Sequence, residues 1–176
     1  GRRVGVAFVG MGGAVATTAI AGIEMIKSGS NRLDGLPLAG LSVAGMADYK
    51  DLGFGGWDLN GDDLASAAAG HGVLSEDDIE DGAKALKGIT PWPAVGSAKF
   101  CKNIDGSNRI VAAGHREAVS IIASDLRRFQ QESNLDEVVV VNLASTERWP
   151  DLSDPTLNSS DAFEKGLDSS DESISP

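Results

Sequence analysis

The passage from Val4 to Lys27 constrains the fold more than any other part of the chain. A short, uncharged run rich in β-branched residues, Val4-Gly5-Val6-Ala7-Phe8-Val9, stops at Gly10-Met11-Gly12-Gly13 and continues as a helical pattern. Such a run reads as a strand buried on both faces, which requires helices above and below it. From Ala14 to Lys27 the spacing of Val15, Ala19, Ile23 and Ile26 predicts a helix, with Gly29 placed to end it in a left-handed conformation. Strand, glycine turn and helix in this order open a parallel α/β sheet. Gly10, Gly12 and Gly13 permit the tight turn and let backbone N–H groups approach a pyrophosphate, while the helix N-terminus supplies partial positive charge. The third glycine of the usual G-x-G-x-x-G pattern is Val15 here, so helix and strand are expected to pack slightly farther apart. Taken alone, the turn also reads as a plain strand-to-helix connection.

The rest of the chain supplies further units of the same kind. Ser30 to Lys50 reads as an insertion with extended structure around Leu41 to Met46. A second strand, Leu52 to Trp57, ends at Asp58, and helices are expected over Asp62 to Ala69 and Glu76 to Leu86, the latter with Ser75 and Asp78 as a capping box. Pro91 and Pro93 mark Gly88 to Asn108 as a long surface connection. Val119, Ile122, Ala123, Leu126 and Phe129 occupy one face of a helix closed by Glu132-Ser133-Asn134. Val138 to Val141 is the strongest strand and runs into Asn142-Leu143-Ala144-Ser145-Thr146-Glu147. Units on this spacing imply right-handed crossovers and an α/β fold, a Rossmann-like, doubly wound, mostly parallel sheet. Past Pro150 the Ser, Asp and Glu content by itself reads as an acidic disordered tail.

A dinucleotide fold normally places an acid at the end of the second strand, about 20 residues after the fingerprint, where it meets a ribose. Asp48 and Asp58 are the candidates, and Asp58 is preferred because it ends the better strand; its bland role would be a turn or helix cap. The formal charge of −11 opposes nucleic acid as a partner. No apolar stretch approaches the ~18 to 20 residues that cross a bilayer, so no membrane partner is expected. Cys101 is the single cysteine and cannot form an internal disulfide. With no secretory signal legible at the start, the expected location is cytoplasmic. His71 and His115 lack a second ligand at metal-binding spacing, so no metal site is expected, and Cys101 beside Lys99 and Lys102 reads as a loop thiol. Trp57, Trp92 and Trp149 read as packing residues.

Three segments in order, Val9 to Thr18 (VGMGGAVATT), Phe54 to Leu59 (FGGWDL) and Val138 to Arg148 (VVVVNLASTER), resemble the myo-inositol-phosphate synthase family, also called inositol-3-phosphate synthase. They match its glycine loop, its FGGWDI strand end and its VVNxASTE stretch. Asp62 to Glu80 and Asp125 to Phe129 resemble the family as well. The resemblance implies NAD as cofactor, with Gly13, Ala14, Val15 and Ala16 around the pyrophosphate, Asp58 near the adenosine ribose, and Ala144, Ser145 and Thr146 beside the cofactor. Where many eukaryotic relatives have Asn-Asn-Gly, this chain has Ala14-Val15-Ala16, which resembles prokaryotic members and offers no asparagine contacts.

The implied activity is an isomerase of inositol and phospholipid biosynthesis. Glucose 6-phosphate is oxidised by NAD, closed by an intramolecular aldol step and reduced to myo-inositol 3-phosphate, in an enzyme that is a homotetramer when complete. Glu172-Ser173-Ile174-Ser175-Pro176 resembles the family's mid-protein EISPS. Residues 1–150 would then be an NAD-binding domain with an incomplete sheet, and residues 151–176 an ordered acidic connection toward a substrate and tetramerisation domain. The catalytic lysines are expected beyond Pro176, so catalytic residues stay unassigned. The rivals are another NAD(P)-dependent oxidoreductase and a noncatalytic nucleotide-binding module. A carboxylate at Asp58 would repel a 2′-phosphate and favour NAD.

Overall fold

The computed structural model describes residues 1–29, 33, 35–41, 43–96, 106–144 and 149–174. The strands are β1 (Val4–Val9), β2 (Leu52–Asp58), β3 (Trp92–Val95), β4 (Arg109–Ile110) and β5 (Glu137–Asn142). The helices are α1 (Ala14–Ser28), α2 (Leu64–His71), α3 (Glu76–Lys87), α4 (His115–Glu132) and α5 (Ser160–Ser169), with 3-10 turns at Tyr49–Asp51 and Pro155–Leu157. All strand pairs are parallel, and the sheet order is β4-β3-β2-β1-β5. From β1 the chain steps outward through β2, β3 and β4, and α4 then returns it to β5 on the other side of β1. Val9 is level with both Trp57 and Asn142, so the carboxyl ends of the three inner strands meet at one edge.

The pleat of β1 divides its residues between two cores. On one side Phe8 packs with Met11, Ala16, Ile20 and Ala21, backed by Leu64, Ala65 and Leu86 from α2 and α3. On the other side, a Cβ added at Gly5 would lie 2.7 Å from the Phe129 ring, and one at Gly55 would lie 2.5 Å from Trp92. These strand glycines let the rings of α4 and β3 lie directly on the sheet. Helices thus cover both faces, as the sequence implied.

Several expectations need correction. The buried face of α1 is Ala16, Thr17, Ile20, Ala21 and Met25, while Val15 is 66% exposed. Val15 therefore cannot space the helix from the strand; the small Ala16 and Thr17 lie against the sheet, and the Thr17 hydroxyl folds back onto the Gly13 carbonyl at 3.0 Å. The described residues of Leu41 to Met46 form turns with exposed side chains, not extended structure, and among the described residues no strand pairs with them. The Gly88 to Asn108 connection contains β3, which the prolines concealed; Cys101, Lys99 and Lys102 lie outside the described residues. In α4 the buried residues are His115, Ala118, Asp125 and Phe129, with Val119 at the surface. The two polar members are tolerated there because both are hydrogen-bonded: Trp57 Nε1 donates to Asp125 at 2.9 Å and His115 Nε2 to the Asp171 carbonyl at 2.8 Å.

The acidic tail is ordered over its described part. Leu167 and Ile174 are buried, and Arg116 on α4 pairs with Glu164 and Asp168 on α5. Among the described residues β5 pairs with β1 alone, and Val139 and Val140, on opposite faces, are both nearly half exposed. No described helix is long and apolar enough to cross a membrane.

Candidate functional site

The glycine turn sits at the carboxyl end of β1, and its own hydrogen bonds decide what it can offer a ligand. Gly10 has a φ of 85°, the left-handed region that favours glycine. The amides of Gly10 and Met11 both donate to the Trp57 carbonyl, at 2.9 and 3.0 Å, and Gly13 donates to the Gly10 carbonyl at 3.1 Å. Gly12 donates to Asp58 Oδ2 at 2.8 Å. All four turn amides are thus engaged inside the chain, which shapes the turn but leaves none of them free for an anion.

The open donors lie one step on, at the start of α1. Gly13 is its N-cap and makes no side-chain cap, and the first turn holds no acid. Other helices are closed: Asp63 accepts from Ala65 and Ser66 on α2, Ser75 and Asp78 form the expected capping box on α3, Ser159 caps α5, and α4, which lacks a side-chain cap from its own N-cap Gly114, has its His115 amide on Ser170 Oγ. Among the described residues no acceptor meets the amides of Ala14 and Val15. Ala16 is fully buried and forms the floor beneath them. An unclosed helix end with partial positive charge is a ready anion site. Among the described residues, a Cβ at Gly13 would meet only the Gly10 carbonyl oxygen, at 3.2 Å.

Asp58 stands at this edge and Asp48 does not. Asp48 precedes β2 at the opposite end of the sheet and pairs with Lys50 at 3.3 Å, well exposed. Asp58 Oδ1 accepts from the Asn60 amide at 2.9 Å while Oδ2 holds Gly12, which leaves part of an ionised carboxylate's roughly four acceptor positions for a ligand. The cap of the following helix α2 is Asp63, not Asp58, and the Asp63 carboxyl is made more acidic by the Ser66 amide, against partial desolvation.

The third component comes from β5. Leu143 donates to the Val9 carbonyl at 3.0 Å, and the Ala144 amide turns back onto Asn142 Oδ1 at 2.9 Å. A Cβ at Gly10 would sit 3.7 to 3.8 Å from the Leu143 and Ala144 backbone. Gly10 and Ala144 therefore flank the crevice between β1 and β5, where the strand order reverses and open α/β sheets take their ligands. Ser145 and Thr146 lie outside the described residues.

Two further residues support the site and carry no local sequence signal. Asn108 Nδ2 donates to the Asp58 carbonyl at 2.9 Å and reaches the Trp92 carbonyl at 3.3 Å, tying β2 to β3. His71 Nε2 lies 2.6 Å from the Gly12 carbonyl oxygen. A histidine between two glycines and an asparagine in a loop are common; only the fold brings them here.

Comparison with known proteins follows the same lines. Residues 36–176, well over half of the chain, match the model of an NAD-binding family described as myo-inositol-1-phosphate synthase. The match begins downstream of the glycine turn. Inositol-3-phosphate synthase 1 from Bacteroides thetaiotaomicron is 35% identical over an alignment covering 99% of this chain, turn included, and 44% of that protein. Inositol-3-phosphate synthase from Dictyostelium discoideum is 32% identical over 74% of this chain and 26% of its own length. The crystal structure of inositol-3-phosphate synthase from Caenorhabditis elegans superposes with a TM-score of 0.82, covering 99% of this chain and 40% of that one, at 22% identity. The chain thus spans less than half the length of these relatives. On the extent of the family match, the chain belongs to the myo-inositol-1-phosphate synthase family.

Proposed function

We propose that this chain is the NAD-binding part of an inositol-3-phosphate synthase, converting glucose 6-phosphate to myo-inositol 3-phosphate when the protein is complete. The observation that carries the reading is the open N-terminus of α1, free of side-chain cap and acid, beside the Asp58 carboxylate that holds the Gly12 amide. The donor set fits a dinucleotide. Ala14 and Val15 present amides to the pyrophosphate, over a turn shaped by Gly10, Gly12 and Gly13 and floored by Ala16. Asp58 accepts from the adenosine ribose hydroxyls and disfavours a 2′-phosphate, which selects NAD over NADP. Ala144, followed by Ser145 and Thr146, lines the cofactor at the end of β5.

Bound NAD would supply the removal and return of a hydride. The residues of this chain bind and orient it, and two of its lysines are held elsewhere. Lys27 is held at the far end of the sheet by Glu24 and the Leu52 carbonyl, and Lys50 by Asp48. Residues 1–150 form the cofactor domain in this reading, and residues 151–176, including α5, the connection to a substrate and tetramerisation domain. The protein works in the cytoplasm as a homotetramer, in inositol and phospholipid biosynthesis, apart from nucleic acid and membranes.

Calorimetric titration of the chain with NAD and NADP tests the cofactor reading, and tighter NAD binding is expected. For the complete protein, inositol phosphate formed from glucose 6-phosphate without net NADH supports the synthase. Net NADH accumulation instead would make it an ordinary dehydrogenase.

A further inference from the structure

We propose that His71 is a positioning residue of the dinucleotide site, holding the Gly12–Gly13 peptide so that the open amides of α1 keep their aim. The proposal rests on the reading that this site takes NAD. A carbonyl only accepts, so with Nε2 at 2.6 Å from the Gly12 oxygen the imidazole donates, either as the neutral Nε2–H tautomer or as the imidazolium. The acceptor is 59 residues away in the glycine turn, not one of the last carbonyls of its own helix, which a histidine at a helix end can also serve.

The arrangement around Gly12 gives the contact its consequence. The peptide before Gly12 is held by its amide on Asp58. The peptide after it is held at both ends, by its carbonyl on His71 and by the Gly13 amide on the Gly10 carbonyl. The next amides along the chain are those of Ala14 and Val15. Gly12 and Gly13 impose little of their own preference, so without an external hold the peptide between them rotates more freely and the anion site loses preorganisation. His71 is well placed to act as that hold. It is the last residue of α2, whose Leu64, Ala65, Ala67 and Ala68 are buried, and Gly72 ends the helix there in a left-handed cap with φ 63°. The imidazole thus projects from a packed platform onto the turn, while its own exposure means that little core packing depends on it.

Three variants of the 176-residue chain, His71→Ala, His71→Leu and His71→Gln, test this by NAD titration, thermal melting and amide NMR of Gly13 and Ala14. For His71→Ala and His71→Leu, NAD affinity is expected to fall about tenfold, the equivalent of about 1.4 kcal/mol. The melting temperature should be little changed, and the Gly13 and Ala14 amide signals should shift. His71→Gln carries a side-chain N–H of similar reach and should recover most of the affinity. Equal affinity in the parent and His71→Ala overturns the proposal, as does a loss that His71→Gln shares in full. If His71→Ala fails to fold, the His71→Gln and His71→Leu pair decides by the same criterion. A parent chain that binds no NAD, while its Gly13 and Ala14 amides still respond to substitution at His71, overturns the cofactor reading and the role in binding with it; unresponsive amides would show that the contact itself is wrong.

Discussion

The indole Nε1–H of Trp57 donates to Asp125 Oδ2 at 2.9 Å, across the buried seam between β2 and α4. Arg128 holds the other carboxylate oxygen at 2.9 Å and lies over Trp92, which makes edge contacts with both Trp57 and Phe129. Residue 57 is thereby pinned on the opposite face from the cofactor-side core, and its neighbour Asp58 is set at the glycine turn. Asp125→Ala would leave a buried indole N–H without its acceptor, at a cost of about 1 to 3 kcal/mol. Asp125→Asn keeps an acceptor and should cost less. Urea unfolding of both variants checks the order; equal losses would assign the effect to the Arg128 pair instead.

Gly13→Val should separate binding from folding. The Gly13 backbone is ordinary, with φ −72°, and an added Cβ meets only the Gly10 carbonyl. The branched side chain projects into the space proposed for the pyrophosphate. NAD affinity should fall by an order of magnitude or more, while the chain stays folded with a modest fall in melting temperature. Unaltered affinity in a folded variant would remove the pyrophosphate from this position.

Asp58→Ala should reduce the preference for NAD over NADP, with about 1 to 3 kcal/mol of NAD binding lost if the ribose bonds are charge-assisted. Part of any loss will come through the freed Gly12 amide, so Asp58→Asn, which retains an acceptor there, is the informative partner. Asp48→Ala, at the other end of the sheet, should change neither affinity. Titration of both cofactors against the three variants is the measurement, and an effect at Asp48 with none at Asp58 would reverse the assignment.

Acid should weaken the N-terminus of α2 through Asp63. Its carboxyl is held below the ordinary value of 3.8, first by the Ser66 amide and also by the Ser66 hydroxyl and Ala65 amide. A depressed carboxyl contributes stability that is present above the unfolded value and lost as pH falls through the folded one. The contribution is therefore complete at neutral pH and fades below about pH 4. Asp63→Ala should cost about 1 kcal/mol at neutral pH, with the gap to the parent closing in acid. Denaturation at a series of pH values tests this, and a gap that stays constant down to pH 2 would exclude the charge of Asp63 as its source.

The 176-residue chain should bind NAD and form no inositol phosphate from glucose 6-phosphate. Enolisation and aldol closure call for general acid–base and electrophilic groups beside the reacting carbons. Of the described lysines, Lys27 and Lys50 are engaged at the far end of the sheet, and Lys84, Lys87 and Lys165 sit on the helices α3 and α5. Assaying the short chain beside the complete protein decides the matter. Comparable product from both would require a catalytic set among these residues that the structure has not brought together.

What the sequence determined by itself was local. A buried apolar run stopped by Gly10, a helix ended by Gly29, the Ser75–Asp78 box and the valine run of β5 each depend on residues within a few positions of one another, and all appear in the structure. The resemblance of three segments likewise pointed to the family without any geometry. Tertiary structure decided everything that needed a partner. β3 and β4, four and two residues long, are too short to show a period; β3 exists by pairing with β2 and β4 by pairing with β3, with Asn108 as the tie between β2 and β3. The buried face of α1 was set by where small residues meet the sheet, so Val15 turned outward although its spacing fitted a core stripe. The sequence favours Asp58 over Asp48 as the end of the better strand; only the parallel register of β1 and β2 sets that end beside the glycine turn. His71 meets Gly12 for the same reason: a hydrogen bond spanning 59 residues depends on how two helices dock, and no pattern within either segment encodes that distance.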